Sequence, residues 1–284
     1  MRLLVFGYGF SAQALARRLK PRGWAIAATF RTDSAALAAD GVAPVPLDDP
    51  DRLAAEVSAA TAILVTAPPA QAGCPGHAAL APVLAQGQAR PGWIGYLSTT
   101  GVYGDRQGRW VNERSRLAAI STEGARRVGA EQDWLRTGAD LGLAVTRFRL
   151  PGIYGPSRSV LDRLRAGTAR RIVAPGQVFS RIHVDDIAAG LAASIDRPRP
   201  GAAYNLCDDE PCPNSEVIAY GAEMLGMAPP PEIALAEAGL SPAASRFYAE
   251  SKRVSNALAK AELGWRPAYP SYREGLAAIL AAGG

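Results

Sequence analysis

The sequence predicts an α/β fold, a doubly wound parallel sheet of the Rossmann type with a smaller C-terminal lobe. Two observations predict it. Along the first 150 residues, short apolar runs suited to buried strands alternate with segments of helical periodicity. The first run, Leu3 to Phe6, is followed at once by Gly7 and Gly9 and then by a helical pattern over residues 11–19. With 284 residues and 48% hydrophobic composition, the chain can bury a sizeable core.

The other elements follow in chain order. We predict strands at residues 24–30, 42–47, 61–66 and 93–97, and helices at 51–60, 77–86 and from 121 onward. Farther along, one helix is expected with Asp185 or Asp186 as its cap and another with Asn214 or Ser215 as its cap. A later helix is predicted over residues 251–263, where apolar residues recur at helical spacing.

The turn after the first strand has the residues that a dinucleotide phosphate site requires. Gly7 and Gly9 allow a tight turn and a close approach of the backbone, and Ala12 completes the G-x-G-x-x-A pattern. Free N–H groups at the start of the next helix would meet the charge of a pyrophosphate, which adds Phe10 and Ser11 to the predicted cofactor-binding residues. An ordinary tight turn is the alternative, but the strand–turn–helix context favours the nucleotide site.

Three other strand ends supply further candidates for cofactor binding. In open parallel sheets, ligands bind beyond the carboxyl ends of the strands. The predicted third, fourth and fifth strands end near Asp48, near Thr66, Ala67 and Pro68, and near Ser98. We expect these residues to border the same cofactor site.

The end of the second strand indicates which dinucleotide binds. NAD-preferring Rossmann proteins carry an acidic residue there for the ribose hydroxyls. Here the strand ends in Thr29, Phe30 and Arg31, with no carboxylate before Asp33. Because a guanidinium suits a 2′-phosphate, we predict NADP(H) in preference to NAD(H), with Arg31 as the contact. A solvated surface arginine is the alternative.

Composition narrows the classes of partner. The net charge of +5 comes mostly from arginines spread through helices, without a nucleic-acid-binding module, so no nucleic-acid partner is expected. No apolar run reaches the roughly 20 residues of a membrane span, and the chain begins with a strand, so neither a membrane partner nor a signal peptide is expected. Three irregularly spaced cysteines and two histidines predict no metal site and a cytoplasmic location. We expect a small-molecule substrate and a monomer or homodimer.

Five later segments carry recognisable motifs in a fixed order. They are S-T-T-G-V-Y-G from Ser98, R-L-P-G-I-Y-G-P from Arg149, R-I-H-V-D-D from Arg181, Y-N-L from Tyr204 and L-G-W-R-P from Leu263. Together they resemble the extended short-chain dehydrogenases/reductases, the NAD(P)-dependent epimerase/dehydratase family, over nearly the whole chain. The resemblance implies a dinucleotide-binding domain at 1–150, to which 182–206 return, and a substrate lobe at 151–181 and 207–284.

The same resemblance implies a catalytic arrangement that this chain only partly retains. In the family, a Ser or Thr hydroxyl holds the substrate oxygen, and a Tyr-x-x-x-Lys pair on the next helix transfers protons. The Val-Tyr-Gly anchor places Thr99 in the first role. Glu123 and Arg127 stand where the tyrosine and lysine belong. Glu123 acting as the acid/base is one interpretation; ion pairing of Glu123, Arg127 and Glu131 along one helix face is the other.

Two tyrosines beside glycines, Tyr103 and Tyr154, are alternative sources of a phenol, although tyrosine in such loops often packs inside the fold. Several arginines lie between residues 157 and 181, in the segment that the resemblance assigns to the substrate lobe. Guanidinium groups suit phosphate or carboxylate, so we expect a small or sugar-like anionic substrate bound by Thr100, Tyr154 and Arg181.

Two functions remain as hypotheses. The first is an NAD(P)-dependent oxidoreductase of the epimerase/dehydratase type with a non-standard acid/base. The second is a catalytically silent NADP(H)-binding sensor or regulatory protein. The missing Tyr-Lys pair favours the second, and the retained Ser98-Thr99 loop favours the first.

Overall fold

A parallel sheet forms the centre of the protein, which was analysed as a computed structural model. The structure describes residues 1–87 and 90–283; Gln88, Ala89 and Gly284, which fall inside the predicted domain ranges, lie outside the described residues. The strands in chain order are β1 (Arg2–Phe6), β2 (Ala25–Phe30), β3 (Ala43–Pro46), β4 (Ala62–Val65), β5 (Trp93–Thr99), β6 (Trp110–Val111), β7 (Val145–Leu150), β8 (Gly152–Tyr154), β9 (Arg171–Val173), β10 (Arg181–His183), β11 (Ala203–Asn205), β12 (Glu232–Ala234) and β13 (Arg253–Val254).

Seven of these strands pair in the order β11-β7-β5-β4-β1-β2-β3, and every pair is parallel. The strand order reverses between β1 and β4, which is the point where such sheets open a crevice for ligands. The predicted fold class, a doubly wound parallel sheet, is confirmed.

Helices cover both faces of the sheet. They are α1 (Phe10–Leu19), α2 (Ala35–Ala39), α3 (Pro50–Ala59), α4 (Pro75–Gln86), α5 (Thr122–Leu141), α6 (Val160–Arg165), α7 (Val184–Asp196), α8 (Asn214–Met224), α9 (Pro242–Tyr248), α10 (Ala257–Leu263) and α11 (Tyr272–Ala281). Helices α1 and α7 pack in the apolar core on one face, and α3, α4 and α5 pack in the core on the other. Leu3, Leu4 and Val5 of β1 are fully buried because both faces are covered. None of the described helices combines the length and the apolar character that a membrane span needs.

The remaining elements form a smaller layer beyond the carboxyl ends of the strands. Here β8 pairs with β10, β9 with β12 and β6 with β13, each in a two-stranded parallel sheet. Helices α6, α8 and α11 share a separate apolar core. The chain enters this layer after β7 and returns to the main sheet at β11, so the layer is attached to the sheet at more than one point.

Three local predictions were wrong. Residues 251–263 form a short strand, β13, and then the helix Ala257–Leu263, because residues 251–255 bond to neighbouring backbone and side-chain groups instead of to each other. The cap of α7 is His183, whose Nδ1 accepts the Asp185 N–H at 3.2 Å. The cap of α8 is Pro213, without a side-chain bond.

Asp186, predicted as a possible cap, has a different role. Its carboxylate accepts the N–H groups of Ala268 at 2.6 Å and Tyr269 at 3.2 Å, and burial raises its pKa to about 6. The backbone oxygen of Asp186 accepts the Trp265 indole N–H at 3.1 Å. Through Asp186, the start of α7 therefore binds the C-terminal L-G-W-R-P segment and the two residues after it.

A buried ion pair joins three elements beneath the site. Glu131 of α5 is 1% exposed, and its carboxylate accepts from Arg149 of β7 at 2.7 and 3.1 Å. Ser98 of β5 donates to the same carboxylate at 2.6 Å. Arg149 also donates to the Tyr103 hydroxyl at 3.0 Å. These bonds raise the pKa of Arg149 above its usual value even though burial acts against the charge. A buried charge is stable only when it is paired in this way.

We expect Arg149→Leu to lower the free energy of unfolding by about 3–5 kcal/mol, because it leaves the Glu131 carboxylate buried with too few partners. Urea denaturation measures the loss. The matched control is Arg136→Leu on α5, whose side chain is 70% exposed, and where a change of about 0.5 kcal/mol is expected. Equal losses in the two variants would contradict the importance of the pair.

Candidate functional site

The turn after β1 is held in one conformation by the neighbouring strands. Gly7 has φ +91°, and a Cβ there would lie 3.0 Å from Thr66 Oγ1 and 3.2 Å from the Ala67 nitrogen, so only glycine fits. The Gly7 N–H donates to Thr29 Oγ1 at 3.1 Å, and the Thr66 hydroxyl donates to the Gly7 carbonyl oxygen. Residues at the ends of β2 and β4 thus fix the turn that precedes α1.

The N-terminus of α1 offers free backbone donors. Gly9 is the cap residue and provides no side-chain bond, and the Gln13 N–H is the first to bond within the helix, to the Gly9 carbonyl oxygen at 2.9 Å. The N–H groups of Phe10, Ser11 and Ala12 precede that bond, as at every helix start. A Cβ on Gly9 would meet no protein atom within 4 Å. The space in front of these donors is open, which suits an anion.

A cleft of about 770 Å³ extends from this turn along the carboxyl ends of β1, β2 and β4. Its lining residues are Phe6 to Gly9, Thr29 to Asp33, Ala36, Leu37, Leu47, Thr66 to Ala70 and Pro75. The predicted residues Gly7, Gly9, Arg31, Thr66, Ala67 and Pro68 are therefore brought together. The volume, the apolar walls and the free N–H groups fit the adenosine and diphosphate part of a dinucleotide.

Four predicted cofactor contacts do not line this cleft: Phe10 and Ser11, whose backbone N–H groups lie at the start of α1, and Asp48 and Ser98. Asp48 is exposed, one residue beyond the lining residue Leu47. The Ser98 side chain is 5% exposed, and its hydroxyl is used by Glu131 inside the protein. Both were placed by their position after a strand, which does not determine where a side chain points.

At the end of β2 a cation, Arg31, comes before the first carboxylate, Asp33. Arg31 is exposed, and among the described residues it has no ion-pair partner. Asp33 also lines the cleft, but its carboxylate accepts the Ala35 N–H at 2.8 Å at the start of α2. The first charged side chain at this strand end is thus a guanidinium.

A second cavity, of about 420 Å³, lies beyond the ends of β5 and β7. Thr99, Thr100, Ser121 and Glu123 line one side of it. Thr99 Oγ1 accepts the Gly101 N–H at 3.1 Å, which leaves its own O–H free to donate. Thr99 is thus available to a substrate oxygen, as the family motif implies.

The helix that should carry the Tyr-Lys pair places its three charged side chains against different parts of the protein, and the role of Glu123 as an acid/base stays a prediction. Arg127 donates to the carbonyl oxygen of Leu97 and to the Tyr96 hydroxyl at 3.4 Å. Glu123 is exposed and lies 3.6 Å from Arg246, while Glu131 pairs with β7. The predicted ion-paired ladder of Glu123, Arg127 and Glu131 is wrong, because the three side chains find partners on different elements.

The two candidate tyrosines differ in their surroundings. Tyr103 is 0% exposed, and its hydroxyl bonds to Asn205 at 2.8 Å and to Arg149, while burial raises its pKa to about 12. Tyr103 does not reach a cavity. Tyr154 is 9% exposed and borders a cavity, although burial raises its pKa well above the usual value and its hydroxyl faces the Ser271 carbonyl oxygen at 3.4 Å. Neither phenol is poised to lose a proton near neutral pH.

A third cavity, of about 340 Å³, adjoins the second one, and the two share Gly152, Phe179, Ser180 and Phe247. Arg181 lies in its wall and is 8% exposed. One guanidinium nitrogen, Nη1, donates to the carbonyl oxygens of Phe179 at 3.0 Å and Cys212 at 3.2 Å, while Nη2 is buried without a partner. A buried guanidinium donor without a partner is costly and suits an anionic ligand.

Two further arginines, Arg158 and Arg163, line the third cavity, and neither has an ion-pair partner among the described residues. Asp162 is the acidic residue that lines it, but its carboxylate is bound to Ser159 at the start of α6. Aromatic side chains form much of the wall: Tyr154, Phe179, Phe247 and Tyr272. The cavity is therefore cationic at some points and apolar at others.

Sequence reasoning missed Lys252 and Glu250. Both line the second cavity, as Thr99 does, and the lysine Nζ donates to the glutamate carboxylate. Lys252 is 8% exposed. Lys252 was not predicted as a site residue because it fell in the helix predicted over 251–263, where a surface lysine would point to solvent. The sequence signal for an extended conformation was the pair of serines, Ser251 and Ser255, because serine side chains bond to nearby backbone groups in competition with a helix.

No model of a known protein family matches the sequence. Two curated proteins are similar to it. A 3-diazoavenalumate denitrifying reductase from a Streptomyces species is 31% identical over 160 residues, which cover 53% of this chain and 51% of that protein. The match thus spans about half the length of that relative. Protein YeeZ from Escherichia coli K12 is 28% identical over 244 residues, which cover 81% of this chain and 85% of YeeZ.

Solved structures give longer matches. A functionally unknown conserved protein from Silicibacter pomeroyi DSS has a TM-score of 0.92 and 46% identity over 99% of this chain and 98% of that one. A putative NAD-dependent epimerase/dehydratase from Methylobacillus flagellatus has a TM-score of 0.71 and 25% identity over 99% and 98%. A dTDP-glucose 4,6-dehydratase from Streptomyces venezuelae, solved with NAD and TYD, has a TM-score of 0.79 and 23% identity over 99% and 96%.

The fold is thus that of the NAD-dependent epimerase/dehydratase proteins among the extended short-chain dehydrogenases/reductases, and the predicted resemblance is confirmed. Within that class, the chain belongs to the same family as the Silicibacter pomeroyi protein, because their identity extends over both chains.

Gly9→Asp tests the phosphate site. We expect the variant to fold, since the φ of −99° suits any residue, the added Cβ has space, and aspartate is a good helix cap. Its carboxylate would face the diphosphate, so affinity for NADPH should fall by about 100-fold or more. Titration calorimetry measures the affinity. Gly9→Asn is the matched control, with the same shape and no charge, and should lose less; unchanged NADPH affinity in the aspartate variant would contradict the assignment.

Proposed function

We propose that this protein is an NAD(P)-dependent oxidoreductase that binds a dinucleotide across the carboxyl edge of its sheet. The observation that carries the proposal is the row of unpaired N–H groups at the start of α1, opening into a cleft of about 770 Å³. This cleft lies at the reversal of strand order, and the cavity bordered by Thr99 lies farther along the same edge. When bound, the nicotinamide supplies or accepts hydride.

Each residue set has a distinct task in this proposal. Gly7, Gly9, Phe10 and Ser11 hold the diphosphate through backbone N–H groups. The Thr99 hydroxyl donates to the substrate oxygen and orients it, with Thr100 beside it. Phe10 follows the phosphate turn, and its ring centroid lies 5.7 Å from the guanidinium carbon of Arg158, which lines the third cavity. The two binding regions are therefore adjacent.

We propose NADP(H) as the preferred cofactor. Arg31 lines the cleft without an ion-pair partner among the described residues and comes before Asp33, one of whose carboxylate oxygens accepts the Ala35 N–H at 2.8 Å. A guanidinium favours a 2′-phosphate through paired, charge-assisted hydrogen bonds, whereas an NAD-specific site would need a carboxylate there.

The preference is testable with Arg31→Ala. We expect affinity for NADPH to fall by about 10-fold to 100-fold and affinity for NADH to change by less than about twofold, because only NADPH carries the 2′-phosphate. Fluorescence titration with both dinucleotides gives the two ratios. Arg136→Ala on exposed α5 is the control. Equal losses for both cofactors would refute the assignment of Arg31.

The third cavity supports a small anionic substrate with an apolar or aromatic body. Three arginines line it, and Asp162, the carboxylate among its lining residues, bonds to Ser159. Arg181 has a buried donor without a hydrogen-bond partner, and the nearby carboxyl of Asp208 is buried, which raises its pKa well above the usual value. Between the arginines the wall is aromatic, so a carboxylate or phosphate on a planar body satisfies both surfaces. One similar protein, the 3-diazoavenalumate denitrifying reductase, has an organic anion in its name. The match covers about half of that protein.

Carbonyl reduction by NADPH is the direct test. The substrates to assay are 4-carboxybenzaldehyde, phenylglyoxylate, keto sugars and nucleotide sugars, with Thr99→Ala and Thr99→Ser as variants. We expect reduction of at least one carboxylated carbonyl compound, a loss of about 100-fold in kcat/KM for the alanine variant, and retention in the serine variant, which keeps the hydroxyl. Absorbance at the NADPH band follows the reaction.

The alternative is a catalytically silent NADP(H) sensor, and the absent Tyr-Lys pair favours it. Tight binding of NADPH without turnover of any compound in the panel would support the sensor. Failure to bind either dinucleotide would overturn both functions. Three predictions remain open. They are the oligomeric state, a monomer or a homodimer, a cytoplasmic location, and the role of residues 151–181 and 207–284 as the substrate lobe.

A further inference from the structure

A dense set of hydrogen bonds fixes the segment from Tyr248 to Val254 against the second cavity. Gln177 Nε2 donates to the carbonyl oxygens of Tyr248 at 3.1 Å and Glu250 at 2.8 Å. The Ser251 N–H donates to Asp105 at 2.8 Å, and the Val254 N–H donates to Ser180 Oγ at 3.0 Å. The Ser251 carbonyl oxygen accepts two N–H groups, from Arg106 and Gly108, each at 3.0 Å.

This fixed backbone presents Lys252 to the cavity. The side chain of Lys252 is 9% exposed and that of Glu250 is 12% exposed, and the ammonium and the carboxylate pair directly. Lysine is rarely this buried, and an ammonium has three N–H donors. Glu250 takes up one of them, so further donors remain for a ligand in the cavity that Thr99 borders.

The other groups around the cavity are poor proton donors. Arg246 and Glu123 lie at the exposed rim and face each other at 3.6 Å, and an arginine does not release its proton in proteins. The hydroxyl oxygens of Ser121 and Ser180 each accept a backbone N–H and keep their own O–H, but an alcohol is a much weaker acid than an ammonium. Of the described residues that line the cavity, Lys252 is thus the group inside it whose proton can be transferred.

We propose that Lys252 is the catalytic acid of this enzyme and replaces the missing tyrosine from a different part of the chain, in the cavity that Thr99 also lines. The assignment rests on the proposed function. Lys252 Nζ donates its proton to the substrate carbonyl oxygen as hydride from the reduced nicotinamide adds to the carbonyl carbon. The C=O π pair becomes the new O–H bond, the carbon is reduced by two electrons, and the neutral amine regains a proton from water.

Carboxylates lie near Lys252. Glu250 pairs with it directly. Asp105 is close enough to interact with its charge: although burial acts to raise the pKa of that carboxyl, N–H bonds from Ser251 and Gln107 and the charge of Lys252 hold it below its usual range. Glu123 and Arg246 face each other at the rim. An ammonium held beside these carboxylates can donate a proton to a substrate oxygen in the cavity.

The test compares Lys252→Arg and Lys252→Met in the full-length protein loaded with NADPH, with Lys260→Met as the matched control. Lys260 also pairs with a carboxylate, that of Asp209, but lies on α10 outside the second cavity. Single-turnover reduction of 4-carboxybenzaldehyde is followed from pH 6 to 10. We expect both Lys252 variants to slow by at least about 100-fold across this pH range, while the control behaves as wild type.

A binding measurement separates proton transfer from a structural role. Terephthalate places a second carboxylate where the aldehyde would lie, and its affinity for the NADP-loaded protein is measured by calorimetry. Lys252→Arg keeps the positive charge, so it should bind terephthalate within a few-fold of wild type yet fail to reduce the aldehyde. Lys252→Met should lose at least about 10-fold in terephthalate affinity, and NADPH affinity should be unchanged in every variant.

Several results would overturn the assignment. Wild-type rate and pH profile in Lys252→Met would exclude the lysine as the acid, and full turnover by Lys252→Arg would show that charge alone is needed. A wild-type protein that binds NADPH and terephthalate without reducing the aldehyde would make Lys252 a binding group only. A wild-type protein that does not bind NADPH would instead overturn the proposed function itself, and this assignment with it.

Discussion

The buried pairing of Glu131 with Arg149 is the constraint on which the site depends. It joins α5 to β7, and the Ser98 hydroxyl adds β5 to the same carboxylate. These two charges are buried away from water, so moving either side chain would leave the other charge buried without compensation. This cost restricts the pair to a single arrangement. The carboxyl ends of β5 and β7, where Thr99 and Gly152 border the second cavity, are therefore fixed by a network that never contacts the cavity itself.

The fold could be predicted from the sequence because its signals are local. The apolar run of β1, the glycines after it and the alternation of strands and helices each depend on neighbouring residues, and the parallel sheet follows from them. The phosphate turn was predictable for the same reason. Gly7 is needed for backbone geometry, and a Cβ-free Gly9 keeps the space in front of the helix start open; local features of this kind are what short patterns report best.

Side-chain roles were harder to predict because they depend on partners that are distant in sequence. Ser98 and Tyr103 stand in a motif that suggests the cleft, yet both hydroxyls are used inside the protein, by Glu131 and by Asn205. Arg127 stands where the family has lysine and instead bonds to the strand beneath it. Lys252 lies 153 positions after Thr99 in a segment whose apolar spacing resembles a helix, and only the packing of β13 against β6 brings it to the cavity.

The segment that carries Lys252 is attached largely through its main chain. Gln177, Asp105, Arg106 and Gly108 bond to peptide groups of residues 248–251, which every amino acid except proline supplies in full. The side chain at 252 can therefore be exchanged without redirecting the path of the chain. Selection, or a protein engineer, can diversify the chemistry presented at this wall by point substitution, and the turn after β1 is left as it is.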